Sequence, residues 1–188
     1  PVGYGISFAN PKLNWGYHAE ADAALNGRRV YWPRGRVIGG SSSINAMAYM
    51  RGLPHDFDGW ERAGATGWGW QHVRPAFEAL ERHFEPGADG KSGTRGNGLL
   101  SVSDLQDEMH PFSTRFLAAA KACGWPSTPD LSAATDEAVG YYRSTVRHGM
   151  RCSAADAFLA PARKRGNLRV MSGAVVERIT FDGARATG

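Results

Sequence analysis

Glycine and serine crowd into one short stretch, Gly35-Arg36-Val37-Ile38-Gly39-Gly40-Ser41-Ser42-Ser43-Ile44-Asn45, and these are the residue types an anionic ligand needs. Paired glycines lack side chains, so their N–H groups can be approached closely and can form a concave nest for an anion. Ser41, Ser42 and Ser43 add hydroxyl donors, and Arg34 and Arg36 flank the loop with positive charge. The apolar run from Ile44 to Met50 reads as a short helix, whose N-terminus would aim about half a positive charge at the same spot. Two readings follow: a plain connecting loop, or a cradle for phosphate.

Other familiar signatures fail on one residue each. Gly90-Lys91-Ser92 imitates the end of a phosphate-binding loop, but Glu85 stands where the first glycine belongs and no strand is expected before it. Gly67-Trp68-Gly69 begins a dinucleotide fingerprint, yet His72 occupies the third glycine position. Gly39-Gly40-Ser41-Ser42-Ser43 has serine where a nucleophile elbow needs its second glycine. Phosphoryl transfer also fits poorly, because no lysine or acidic metal ligand follows the loop at useful spacing. His18, His55, His72, His83, His110 and His148 form no pair at metal-ligand spacing, so no metal is expected.

The elements that must position the loop are short. Residues 1–34, punctuated by Gly3, Gly5, Pro11, Gly16 and Gly27, read as packed, extended chain. A helix is expected over 71–84, with Val73, Phe77, Leu80 and Phe84 on one stripe and Pro75 in its first turn. Trp68 and Trp70 either pack beneath it or line an entrance. Residues 85–98, rich in glycine, read as an exposed loop and a domain junction. Strands are expected at 99–102 and 139–146, with a helix between them capped by Ser113, ended by Gly124, and burying Phe116, Leu117 and Ala120. Ser153-Ala154-Ala155-Asp156 has capping-box spacing and opens a helix that Pro161 bends. Strands at 168–171 and 175–181 follow, the second turning at Asp182-Gly183. The fold class is α+β.

Composition bounds the function. The 188 residues carry a net charge of only +4, in no block, so a nucleic-acid face is not expected. Glycine, at 24 residues, is nearly twice the usual share of ~7%. No apolar run reaches the ~18 residues of a membrane span. Two cysteines make no disulfide framework and point to a reducing compartment, the cytoplasm. Cys123 reads as a small buried hydrophobe, and Cys152 as a thiol before a helix cap; neither reads as catalytic. The opening Pro1-Val2-Gly3 suggests a piece of something longer.

From Gly35 to Trp60 the chain reads GRVIGGSSSINAMAYMRGLPHDFDGW, which resembles the first signature of the glucose–methanol–choline (GMC) oxidoreductases, FAD-dependent alcohol oxidases and dehydrogenases. Asn14-Trp15-Gly16-Tyr17, Leu25-Asn26-Gly27-Arg28-Arg29, Gly67-Trp68-Gly69-Trp70, His110-Pro111, Gly140-Tyr141-Tyr142, Ser153-Ala154-Ala155-Asp156 and Asn167-Leu168-Arg169-Val170 resemble further landmarks in the family's order. Within the family, the resemblance is to the choline-dehydrogenase-like branch.

The resemblance implies part of a FAD-binding domain (1–98 and 166–188) and part of a substrate-binding domain (99–165). It implies FAD as cofactor and a small alcohol as substrate, oxidised to an aldehyde. The loop matching Gly39, Gly40, Ser41 and Ser42 would lie over the FAD pyrophosphate, Val37 would touch the cofactor, and Asn45, Ala46, Met47 and Ala48 would run along the flavin ring. A backbone group at Val176 would contact the adenine, although a core-strand role also fits that residue. Ile44 stands where some members attach FAD through histidine, so the flavin should be non-covalent. The dinucleotide fingerprint should precede Pro1, and the catalytic histidine with its partner should follow Gly188. The isolated chain should therefore bind FAD poorly and turn over no alcohol. A non-catalytic module holding a phosphate or a partner is the alternative.

Overall fold

Frequent glycines and prolines keep the regular elements short. The computed structural model describes residues 3–86 and 92–188 and combines helix and sheet. In chain order it contains helix α1 (Tyr4–Ala9), strands β1 (Tyr17–His18), β2 (Tyr31–Trp32) and β3 (Ala48–Tyr49), and helices α2 (Pro54–Arg62) and α3 (Trp70–Leu80). Strands β4 (Glu81–Pro86), β5 (Ser92–Arg95) and β6 (Leu100–Ser103) follow, then helix α4 (Pro111–Ala122). Strands β7 (Arg143–Ser144), β8 (Val146–Arg147) and β9 (Met150–Arg151) come next, then a π-helical stretch over Ala155–Leu159 that runs into helix α5 (Ala160–Ala162), and strands β10 (Phe181–Asp182) and β11 (Arg185–Ala186).

A five-stranded sheet in the order β3-β7-β6-β4-β5 organises the middle of the chain. Only β4 and β6 run parallel, with His83 opposite Val102; the other pairs are antiparallel. Its strands come from both sides of residue 98. Val102 is fully buried at its centre, and Ile44, Met47, Val146, Cys152 and Ala157 supply further buried apolar groups around the Gly/Ser loop. A second cluster joins α2 to α3: the Phe57 ring lies 5.5 Å from Trp70 and 5.8 Å from Phe77. Trp70 thus packs with the helices, while Trp68 meets Trp60 edge-on at 6.1 Å and stays half exposed.

Several expected elements change. The helix ends at Leu80, not Phe84, because β5 and β6 pair with the backbone of β4 on both sides. Tertiary pairing thereby overrides the helical stripe. Pro75 lies inside the helix, beyond its first turn. Within the expected loop 85–98, Glu85–Pro86 and Ser92–Arg95 pair as antiparallel strands of β4 and β5, and Gly90 and Lys91 of the imitation phosphate loop lie outside the described residues. Helix α4 is capped by His110, whose Nδ1 accepts from the Phe112 N–H at 3.1 Å, not by Ser113. Phe116 is exposed, while Leu117 and Ala120 are half buried. Residues 139–146 form a strand only at Arg143–Ser144 before a break at Thr145. The N-terminal segment is mostly loop, but it includes α1 and the β1–β2 pair. Cys123 is exposed rather than buried, and Cys152 is buried.

The last segment departs most. Neither 168–171 nor 175–180 forms a strand among the described residues, and Val175, Val176, Ile179 and Phe181 are exposed. Without partner strands, a β-branched run has nothing to pair with. The β10–β11 hairpin does form, but its two-residue turn is Gly183-Ala184, one residue later than expected. Asp182 pairs with Arg185, and Gly183 has φ +57° at the first central position, the type II′ pattern.

Candidate functional site

Asn14 sets the entry to the Gly/Ser loop. Buried, it accepts from the N–H groups of Gly16 and Arg34 through Oδ1, both at 3.0 Å, and donates through Nδ2 to the Phe8 carbonyl and the Tyr31 hydroxyl. The chain then reaches Gly35, where a Cβ would stand 2.2 Å from the Gly40 carbonyl oxygen. Only glycine permits that approach. Arg36 is stacked over Trp15 with its guanidinium 4.8 Å from the ring, and Arg34 over Trp32 at 4.9 Å.

Val37 to Gly40 form a turn closed by the Gly40 N–H donating to the Val37 carbonyl at 2.8 Å. Gly39 at φ +89°, ψ −7° gives it the type II form. Gly40 follows at φ +58°, and a Cβ there would meet nothing within 4 Å, so its flank is open. Among the described residues, the N–H groups of Val37, Ile38 and Gly39 have no hydrogen-bond partner. Three consecutive N–H groups without a protein acceptor thus stand beside an open glycine flank.

The serines serve differently from the sequence expectation. Ser42 Oγ donates to the Gly39 carbonyl at 2.6 Å and accepts from the Ala154 N–H at 2.9 Å. Ser43 Oγ donates to the Ile38 carbonyl at 2.8 Å. Both hydroxyls are spent on shaping the loop. Ser41 Oγ accepts from the Gly35 N–H at 3.2 Å and keeps its own proton to donate. The helix expected over 44–50 is absent: a single 3₁₀ turn over Gly40–Ser43 precedes it and strand β3 interrupts it. A helix dipole therefore contributes little here.

Asn45 to Ala48 run as a strip beside the loop. Ala46 and Ala48 are exposed, while Met47 between them is 5% exposed and Ile44 is 3% exposed. Two alanines leave a low surface on which a planar ring could lie. Met47 has φ +63°, a left-handed conformation costing roughly 1–2 kcal/mol for a residue with a side chain. Its N–H donates to Asn45 Oδ1 at 3.1 Å, and its carbonyl accepts from the Thr145 N–H at 2.9 Å. Such strain persists only where surrounding bonds hold it, and it clusters at functional sites.

Immediately behind the strip lies a buried charged cluster that the sequence did not announce. Glu81, 1% exposed, accepts from Arg51 Nε at 2.8 Å, from His83 Nε2 at 2.6 Å, and from the Tyr49 hydroxyl. Burial alone would push the Glu81 carboxyl up, but hydrogen bonds from His83, Arg51 and Tyr49, with the Arg51 charge, outweigh it and hold the pKa at about 2. Burial, and then the Glu81 carboxylate, push the Tyr49 hydroxyl well above its ordinary value. Arg143 extends the cluster to Glu85 at 3.1 Å and Asp130 at 3.3 Å. The only sequence signal was i, i+2 spacing of Glu81 and His83, legible only once 81–86 is read as a strand.

The remaining expected site residue, Val176, lies far along the chain in the exposed segment without strand pairing, 78% exposed. The core-strand alternative for it is not realised. Among the described residues no group of His, Cys, Asp or Glu could hold a metal ion. No helix among them is long and apolar enough to cross a membrane.

Comparison with known proteins places this geometry in context. Residues 16–188 match a family model described as GMC oxidoreductase. Over all 188 residues the chain is 42% identical to the mitochondrial choline dehydrogenase of Mus musculus, covering 31% of that protein. Among solved structures it is similar to pyridoxine 4-oxidase from Mesorbium loti (TM-score 0.81, 37% identity, 99% of this chain and 36% of that one). It is also similar to an FAD-dependent oxidoreductase from Chaetomium thermophilum (TM-score 0.79, 28% identity, 93% and 32%). The chain spans about a third of the length of the curated relatives it matches.

Proposed function

The chain belongs to the GMC oxidoreductase family, and on that footing we propose that it supplies the flavin-covering segment of an FAD-dependent alcohol oxidoreductase acting on choline or another small primary alcohol. The observation that carries this reading is the row of unpartnered N–H groups at Val37, Ile38 and Gly39 beside the open flank of Gly40. Backbone donors of this kind hold a phosphate oxygen without bringing a counter-charge.

On this reading Val37, Gly39, Gly40 and the Ser41 hydroxyl hold the pyrophosphate, with Ser42 bracing the loop from behind. Asn45, Ala46, Met47 and Ala48 lie along the flavin ring, and the Val176 backbone meets the adenine. Residues 1–98 and 166–188 belong to the FAD-binding domain and 99–165 to the substrate-binding domain, and the central sheet joins β3, β4 and β5 of the first block to β6 and β7 of residues 99–165. When bound, FAD would supply at flavin N5 the acceptor for hydride from the alcohol carbon, and with the hydroxyl proton passing to a base the product is an aldehyde. The chain's own contribution is to bind, orient and shield that group. Ile44 is buried and has no nucleophile, which supports non-covalent attachment. The two cysteines are unpaired, which supports a reducing compartment, the cytoplasm.

The test is direct. Full-length protein is purified and its visible spectrum recorded, then precipitated with acid. The expected result is a flavin spectrum near one equivalent, with all of the yellow colour in the supernatant. A colourless protein that takes up no FAD would exclude the flavin reading, and flavin retained in the pellet would exclude non-covalent attachment.

A further inference from the structure

Arg151 ends β9 and reaches back across the chain to the loop. Its Nη1 donates to the Ser42 carbonyl at 3.0 Å and to Asn45 Oδ1 at 2.6 Å. The same Asn45 oxygen accepts the Met47 N–H at 3.1 Å. With both acceptor positions of Oδ1 taken, the carboxamide has one orientation, and its NH₂ is left as the free donor. A neighbouring residue reinforces the hold, since the Ala154 N–H donates to Ser42 Oγ. Among the described residues Arg151 has no carboxylate partner, so its charge acts on these neutral oxygens alone. Charge-assisted bonds are roughly twice as strong as neutral ones.

We infer that Arg151 is a positioning residue for the flavin strip: through Asn45 it keeps Met47 left-handed and so sets the course of Ala46 to Ala48. The inference deepens the flavin reading and rests on it for its consequence, but the turn itself exists without any ligand. Arg151 neither touches the ring nor enters the chemistry. It fixes the oxygen that fixes the turn.

Two variants of the full-length protein test this, Arg151→Leu and Arg151→Lys, with Asn45→Ala as a third. In the FAD-free proteins, amide hydrogen exchange is followed on a peptide spanning residues 44–50. Arg151→Leu and Asn45→Ala are expected to speed exchange at Met47, and Arg151→Lys, which keeps the charge and a donor nitrogen, to restore most of the protection. FAD affinity should fall about 10- to 100-fold in Arg151→Leu, the loss of a charge-assisted bond, with a shifted visible circular dichroism spectrum of the bound flavin. Lysine should recover most of both. Wild-type affinity and spectrum in Arg151→Leu would overturn the inference. Should that variant fail to fold, Asn45→Ala decides alone: unchanged exchange at Met47 leaves Arg151 no route to the turn and overturns it. A wild-type protein that takes up no FAD would sink the flavin reading, while the exchange comparison would still judge the role of Arg151.

Discussion

Two glycines only five positions apart are constrained for opposite reasons. Gly35 is glycine because the chain's own Gly40 carbonyl crowds it, whereas Gly40 faces open space. Gly35→Ala should therefore act as overpacking, lowering stability by about 3 kcal/mol whether or not FAD is present. Gly40→Ala should cost about 1–2 kcal/mol for its left-handed φ, and in addition weaken FAD binding about tenfold or more, equivalent to ~1.4 kcal/mol. Thermal melts with and without FAD separate the two, since only Gly40→Ala should reduce the stabilisation that FAD confers. Equal loss of that stabilisation in both variants would contradict the assignment. The Gly39-Gly40 pair was legible in sequence, because adjacent glycines let a ligand approach the backbone closely, but the crowding of Gly35 by the Gly40 carbonyl was not. The division of labour among Ser41, Ser42 and Ser43 was not, since it depends on Ala154, more than a hundred residues away.

At the level of elements, β3 is only two residues long and cannot hold its place by ladder bonds alone. Tyr49 and Arg51, on either side of Met50, lock it to β4 through Glu81. The Glu81 carboxyl is held at about 2 in the folded protein against an ordinary 4.5, so its contribution to stability is complete above about pH 4.5 and is lost as pH falls towards 2. Urea unfolding of the full-length protein should show declining stability across that window. Glu81→Gln should flatten the decline and, by leaving Arg51 buried without its partner, lower stability at neutral pH by about 3–5 kcal/mol. An unchanged acid profile in Glu81→Gln would show that other groups govern it. Elements whose signal is local were readable from sequence: Ser153 and Asp156 do form the capping box, with the Ser153 N–H and Oγ both donating to Asp156. Elements decided by distant pairing were not. The stripe ending at Phe84 looked helical, and only β5 and β6 explain why Glu81 to Pro86 extend instead.

Across the whole molecule, the loop end is packed and the other end is not. Met47, Ile44, Cys152 and Ala157 are buried, whereas every residue from Arg163 to Gly188 is exposed. A run carrying Val175, Val176, Ile179 and Phe181 on the surface is an aggregation hazard. Residues 1–188 made alone should therefore associate on concentration and take up little FAD. Fluorescence and absorbance titration check this, and tight one-to-one uptake would contradict it. The sequence pattern named strands at 168–171 and 175–181 from their apolar, β-branched composition, but composition cannot supply a pairing partner. The central claim concerns the amides at 37–39, and amide hydrogen exchange in the full-length protein, with and without FAD, reads them most directly. Strong protection of Val37, Ile38 and Gly39 on adding FAD is the expected result; exchange there that stays the same while FAD is demonstrably bound would place the cofactor elsewhere.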